Sequence, residues 1–204
     1  MVLDSSTGGY LLSETNPLND DALSDVLQGW FVGLTGVDPS LVRPKWQEDP
    51  PEQPDNGVTW MAFGIKGRKR DWDPHVQHLS TAGFGSNFGS DFGSATEASS
   101  VLYRNEILEI DCTVYGPSSD ALTAAIWNNA GIGQNRESLR KSSLYYISVG
   151  DPQTMAEQVK QRWVRRQDFN VHLRRAICLR YRILDIASAE ITVSTPQSNT
   201  LAVV

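Results

Sequence analysis

The stretch from Arg162 to Arg182 holds seven arginines and at the same time alternates like a β-strand. Phe169, Val171 and Leu173 fall on one side and Asn170, His172 and Arg174 on the other, the two-residue period of an extended chain with one buried face. The spacing resumes with Ile177, Leu179, Tyr181 and Ile183. At about 3.3 Å per residue, a strand from Gln167 to Ile183 spans roughly 55 Å. A compact chain of this length has a radius of gyration near ~17 Å and is only about 43 Å across. Such a strand must bend, break at a bulge or project from the body. A projecting basic arm has little use in a lone enzyme and an obvious use in an assembly.

The rest of the composition is that of a globular protein, 40% hydrophobic and 21% charged over 204 residues, enough for one domain with a full core. No apolar run approaches the ~18 residues a membrane helix needs, and the N-terminus lacks the basic start and apolar core of a signal peptide. No membrane association is expected. Cys112 and Cys178 both sit in strand-like runs, and we read both as reduced core residues. The net charge of −6 is unevenly spread: residues 1–57 carry ten acidic side chains and only Arg43 and Lys45, a balance of −8 against +2 for the remainder. Copies of such a chain could set acidic surface against a neighbour's basic surface.

Residues 1–17, with Gly8-Gly9 and Pro17, read as a flexible lead, and 18–194 as one domain. Asn19-Asp20-Asp21 can cap a helix over 20–35, in which Leu23, Val26, Leu27, Trp30, Phe31 and Leu34 recur at helical spacing and Gly36 is the stop. The prolines between Val37 and Asn56 exclude a helix and allow a short edge strand near Leu41–Gln47, with Trp46 covering the core edge. Gly57–Ile65 reads as a central strand. Lys66–Ser100 reads as a long inserted loop, past the usual ~12–15 residue ceiling, with a basic run at Lys66–Arg70 and three Phe-Gly-Ser repeats that offer Phe84, Phe88 and Phe92 as contact points. In the strand Val101–Tyr115, Leu108, Ile110, Cys112 and Val114 face one way and Glu109, Asp111 and Thr113 the other. A helix follows Ser118-Ser119-Asp120, a second helical stretch lies near Glu137–Lys141, and Leu144–Val149 is a further strand. After the basic strand come a turn near Asp185, a short apolar run at Ile191–Val193 and a tail over 195–204. The order predicts an α+β fold, an antiparallel or mixed sheet flanked by two main helices, with the Gly/Phe/Ser-rich insertion.

Catalytic signatures do not emerge. There is no Walker loop, Gly-x-Ser-x-Gly elbow or His-Glu-x-x-His. Gly131-Ile-Gly-Gln-Asn-Arg lacks the third glycine of a dinucleotide site and follows a helix rather than a strand. His75 and His78 with Asp71 and Asp73 could be drawn as a metal site, but solvated loop histidines explain them better; no metal or cofactor is expected. His172 lies on the polar face among arginines and suits a surface or an interface better than a general base. With no acid, base and nucleophile set in view, the chain is not expected to be an enzyme.

Arg162, Arg165, Arg166, Arg174, Arg175, Arg180 and Arg182 could line a path for nucleic acid, pair with a neighbour, or form a solvated face with weak salt bridges. Neighbouring arginines such as 165/166 and 174/175 point to opposite faces of a strand, so one of each pair meets something other than bulk water. Partner contact is the reading we follow, with Arg162, Arg165, Arg166, Asp168, Arg174, Arg175 and the three phenylalanines as candidates. A nucleic-acid-binding module built on residues 162–182 is the alternative, against which the pI of about 5.0 argues.

Four passages together resemble the neck and tail terminator proteins of tailed bacteriophages. They are the helix Asp20–Leu34 with its Thr35-Gly-Val-Asp-Pro turn, the Pro-rich passage into Gly57-Val-Thr-Trp-Met-Ala-Phe-Gly, Asn105-Glu-Ile-Leu-Glu-Ile-Asp-Cys-Thr-Val-Tyr-Gly-Pro with its following helix, and Trp163-Val-Arg-Arg-Gln-Asp-Phe-Asn-Val-His-Leu. The resemblance covers residues 18–185. It implies a small α+β virion subunit, made and assembled in the host bacterial cytoplasm, that forms a homo-oligomeric six-membered ring. Such a ring caps the tail tube or sheath, joins it to the head-side connector and passes double-stranded DNA without sequence-specific binding or catalysis. Arg166 and Asp168 carry over as structural or inter-subunit residues. Attraction to passing DNA would brake its movement, so a neutral or acidic lumen is expected, with Glu109 and Asp111 as candidates.

Overall fold

Leu23, Leu27, Trp30, Phe31 and Leu34 form one buried stripe on the helix α1 (Asp20–Thr35), as their spacing predicts. In this computed structural model, residues 10–15, 17–47, 52–55, 57–70, 74–79, 99–159 and 161–183 are described. Gly36 ends α1 in the left-handed region, φ 68°, and returns its N–H to the Val32 carbonyl. Asn19 occupies the N-cap position without capping; its side-chain oxygen accepts instead from Arg68 and Arg175.

The strands are β1 (Val42–Pro44), β2 (Trp60–Arg70), β3 (His75–Leu79), β4 (Ser99–Tyr115), β5 (Leu144–Val149), β6 (Gln153–Val159) and β7 (Arg162–Arg182), with the helices α2 (Ser119–Ala130) and α3 (Glu137–Lys141) between β4 and β5. They form one seven-stranded sheet, mixed because β1 runs parallel to β2. The fold is therefore α+β, as expected. At its centre β4 and β7 pair antiparallel from Ser99↔Arg182 to Tyr115↔Arg166. The far side of β4 is shared by β2 and β3, and the far side of β7 by β5 and β6. The long strand, 21 residues, is thus accommodated by a 17-residue partner paired along its whole length, and each flank is filled by two shorter strands end to end.

One face of this sheet carries the core. Leu108, Ile110, Cys112 and Val114 of β4 pair with Leu173, Val171, Phe169 and Gln167 of β7. The apolar members join Met61 and Phe63 of β2, Leu144 of β5, the α1 stripe, and Leu122, Ile126 and Ala130 of α2. Burying each large side chain contributes about 1.5–3 kcal/mol. Two ties lock the helices to each other and to the following turn: Asn129 donates to the Leu34 carbonyl at 2.7 Å, and the Trp30 indole to the Asn135 carbonyl at 2.9 Å.

Several expectations are corrected. Lys66–Arg70 is not loop but the outer half of β2, held by pairing with Glu106–Glu109; a basic run is tolerated there because that reach of β2 is an exposed edge. β3 lies inside the stretch read as an insertion, and β6 between Pro152 and the basic strand; both are polar and short, so neither carries an apolar alternation. Residues 80–98, with Phe84, Phe88 and Phe92, lie outside the described residues, as do Asp71, Asp73, Asp185, Ile191–Val193 and 195–204. The lead is docked over Glu14–Thr15: Glu14 donates its N–H to the Arg180 carbonyl, Thr15 exchanges side-chain bonds with Cys178 and Arg180, and Glu14 pairs with Arg182. Trp46 does not cover the core; it is 68% exposed and its ring lies over Gly64 on the other face of the sheet.

Cys112 is buried but Cys178 is exposed, because Ile177 takes the inward position and turns its neighbour out. Burial pushes the Cys112 thiol well above its ordinary range. A thiol reagent added to the native protein should label Cys178 promptly and Cys112 only on unfolding. Two equally fast thiols would contradict the placement.

Candidate functional site

Among the described residues the second face of the sheet is bare of helices, and its residues follow from the two-residue period. Ile107, Glu109, Asp111, Thr113 and Tyr115 of β4 stand opposite Arg174, His172, Asn170, Asp168 and Arg166 of β7. Trp60, Ala62 and Gly64 extend the face across β2, and Gln153, Met155 and Glu157 across β6. It is polar and charged, but its charges are matched in place. Lys45, entering from beyond β1, pairs with Asp111 and donates to the Thr113 hydroxyl at 2.8 Å. Lys66 approaches Glu109 at 3.6 Å, and Asn170 donates to Glu109 at 3.0 Å. Arg166 forks to Asp168 at 2.8 Å and Glu157 at 3.0 Å. The hydrogen bond to Asp168, aided by Glu157, raises the Arg166 pKa still further against the opposing effect of desolvation. Half-burial pushes the Tyr115 hydroxyl upward while Arg166 pulls it the other way.

An aromatic platform closes one end. Trp60 and Tyr115 stack at 4.6 Å, with Arg43 over the Trp60 ring at 5.8 Å and Arg166 over Tyr115 at 5.7 Å. His172 reaches the Ser148 hydroxyl at 3.4 Å. Among the described residues the arrangement binds charge to charge and sets no free carboxylate against a nucleophile.

The candidates from the sequence therefore divide. Glu109, Asp111, Arg166, Asp168 and Arg174 share the bare face. Arg165 and Arg175 point the other way: Arg165 reaches Asp120 at 3.4 Å on the surface, and Arg175 is buried against Glu106. Arg162 opens β7. Phe84, Phe88 and Phe92 lie outside the described residues. His75 stacks on Tyr103 and His78 bonds Ser100; among the described residues no group of His, Cys, Asp or Glu could hold a metal. Sequence reasoning missed Lys45, although a lysine within a strongly acidic segment was a signal that it answers a specific carboxylate. It also missed the Trp60–Tyr115 stack, for which the sequence gives no local cue.

The carboxylates on Arg165, Arg166, Arg175 and Arg182 also weigh against the nucleic-acid alternative, since each of these arginines is already answered within the chain. The second face of the sheet is thus polar, with Lys45, Lys66 and Arg166 each answered by a carboxylate of the same chain. Among known families, the model of the phage neck terminator protein matches residues 21–198. The chain belongs to the phage neck terminator family. This neck terminator is accordingly a structural protein of the bacteriophage virion, placed among the head and tail proteins of the neck. A comparison with curated proteins finds no match. No helix among the described residues of this neck terminator is long and apolar enough to cross a membrane.

Proposed function

We propose that copies of this chain close into a six-membered ring that terminates the tail tube, and any sheath around it, and joins it to the head-side connector. The bare sheet face turns toward the axis and forms the wall past which double-stranded DNA moves. The observation that carries this reading is the matching of charge on that face. DNA presents one phosphate charge per ≈ 1.7 Å of helix axis, so an unanswered basic wall would grip it. Lys45, Lys66 and Arg166 are each held by a carboxylate of their own chain, which leaves little net attraction.

The role is tested by deleting the gene from its phage. Filled heads and unterminated tails should accumulate unjoined, and the protein supplied while tails are being built should restore infectious particles. Normal joining without it would refute the proposal. The conduit has its own test. Glu109→Gln with Asp111→Asn leaves Lys45 and Lys66 without their counter-charges and should slow genome ejection several-fold, in a salt-dependent way, while particles still assemble. An unchanged ejection rate, followed by dye entry or ion efflux, would place this face elsewhere than the lumen.

A further inference from the structure

We infer that each subunit lends the lead segment Tyr10–Leu12 to a groove beside Trp163 of the next subunit, so that the ring is closed by exchanged arms. The inference rests on the ring reading and names the contact that would hold it. The donor is an extended run of three apolar residues left outside the fold: Tyr10 is 91% exposed and Leu12 68%, with Leu11 between them. The acceptor lies at the β6–β7 hairpin, where a groove of about 650 Å³ is lined by Met155, Ala156, Pro117, Val164, Arg165 and Trp163. Trp163 is 74% exposed, unusual for the residue type most often found as an interface anchor. Among the described residues β6 pairs only with β7, so its outer edge offers unpaired backbone groups to an extended segment. The groove's charged lining side chain is Arg165, and the sequence upstream of the donor carries Asp4.

Geometry decides that the occupant is a second copy. The lead is fixed to β7 at Arg180 through Glu14 and Thr15. Trp163 is seventeen residues away along the same strand, roughly 55 Å at the usual rise. From Glu14 back to Tyr10 the chain can reach only about 14 Å. Donor and acceptor therefore sit at opposite ends of one 21-residue strand, beyond the reach of the lead within a chain. A contact between unlike surfaces on neighbouring copies is heterologous; it repeats from copy to copy and makes a ring when its rotation closes, as the ring reading requires.

Two variants divide the roles. Tyr10→Ser with Leu12→Ser removes the donor and keeps the groove; Trp163→Ser removes the anchor and keeps the lead. Each full-length variant alone should lose the ring by native mass spectrometry. An equal mixture should stop at a dimer, because such a pair can form one exchanged contact and no second. Rings from either variant alone, or from the mixture, would overturn the inference while leaving the ring reading intact. For closure that requires the tail as template, a benzophenone amino acid at position 12 is photolysed in assembled particles. Crosslinks should map to the peptide of a second copy that contains Trp163; crosslinks elsewhere, or none, would overturn it. Absence of any ring from wild-type protein and from particles alike would instead sink the ring reading.

Discussion

Replacing Arg175 by alanine should destabilise the fold by about 3–5 kcal/mol, the cost of leaving a buried partner charge unanswered. Arg175 faces the core side of β7, in register with Glu106 of β4, and the paired side chains are 4% and 2% exposed. Its guanidinium also donates to the Leu18 carbonyl and approaches Asn19, so the same side chain fixes the start of α1 to the sheet. Removal strands the Glu106 carboxylate in a site that water reaches poorly and loosens the helix that covers most of the core. The Nε of Arg175 is buried without a hydrogen-bond partner, a cost the pair carries even when intact. The double variant Arg175→Met, Glu106→Leu should therefore recover most of the loss, because it removes both charges and keeps the volume. Urea denaturation of the three proteins measures this. A loss below about 1 kcal/mol for Arg175→Ala would mean the pair is solvated after all.

Phe31→Ala should cost a similar ~3–5 kcal/mol for a different reason, the cavity left by a fully buried ring. Phe31 is 0% exposed and touches aromatic rings on either side, Trp30 at 5.1 Å and Phe63 at 5.3 Å, both tilted. It is the point where α1 meets β2, so surrounding residues cannot collapse into the gap without shifting a helix. For a chain of this size each 1 kcal/mol moves Tm by about 2–4 °C, giving an expected drop of roughly 6–20 °C. Trp46→Ala is the control: that ring is two-thirds exposed, and its loss should move Tm by no more than a few degrees. Equal effects from the two substitutions would show that the core has been assigned to the wrong face of the sheet.

What could be read from the sequence was whatever repeats at a regular spacing. The α1 stripe and the alternation of Leu108, Ile110, Cys112 and Val114 are each one buried face written in order along the chain, and both lie where their periods place them. β3 and β6 have no buried face of their own: they are edge pieces stabilised by backbone pairing to β4 and β7, and backbone pairing leaves no mark on side-chain order. Arg174 and Arg175 show the boundary between the two cases. Adjacent strand residues must face opposite ways, so the sequence requires one arginine to leave solvent. It cannot say that the partner is Glu106, sixty-nine residues earlier in the chain. The bare face was legible as Glu109 and Asp111 alternating with apolar residues, whereas its matching by Lys45 depends on β1 lying beside β2. Cys178 was misread because an apolar neighbourhood does not fix which of two adjacent residues points inward.

Cryo-electron microscopy of the neck in intact particles examines the whole proposal at once. Density for this chain should form a closed ring of six copies between connector and tail, with Glu109, Asp111 and Arg166 facing the channel and each subunit touching the next. Isolated copies bound to the outside of the neck, with no contact from one to another, would contradict it.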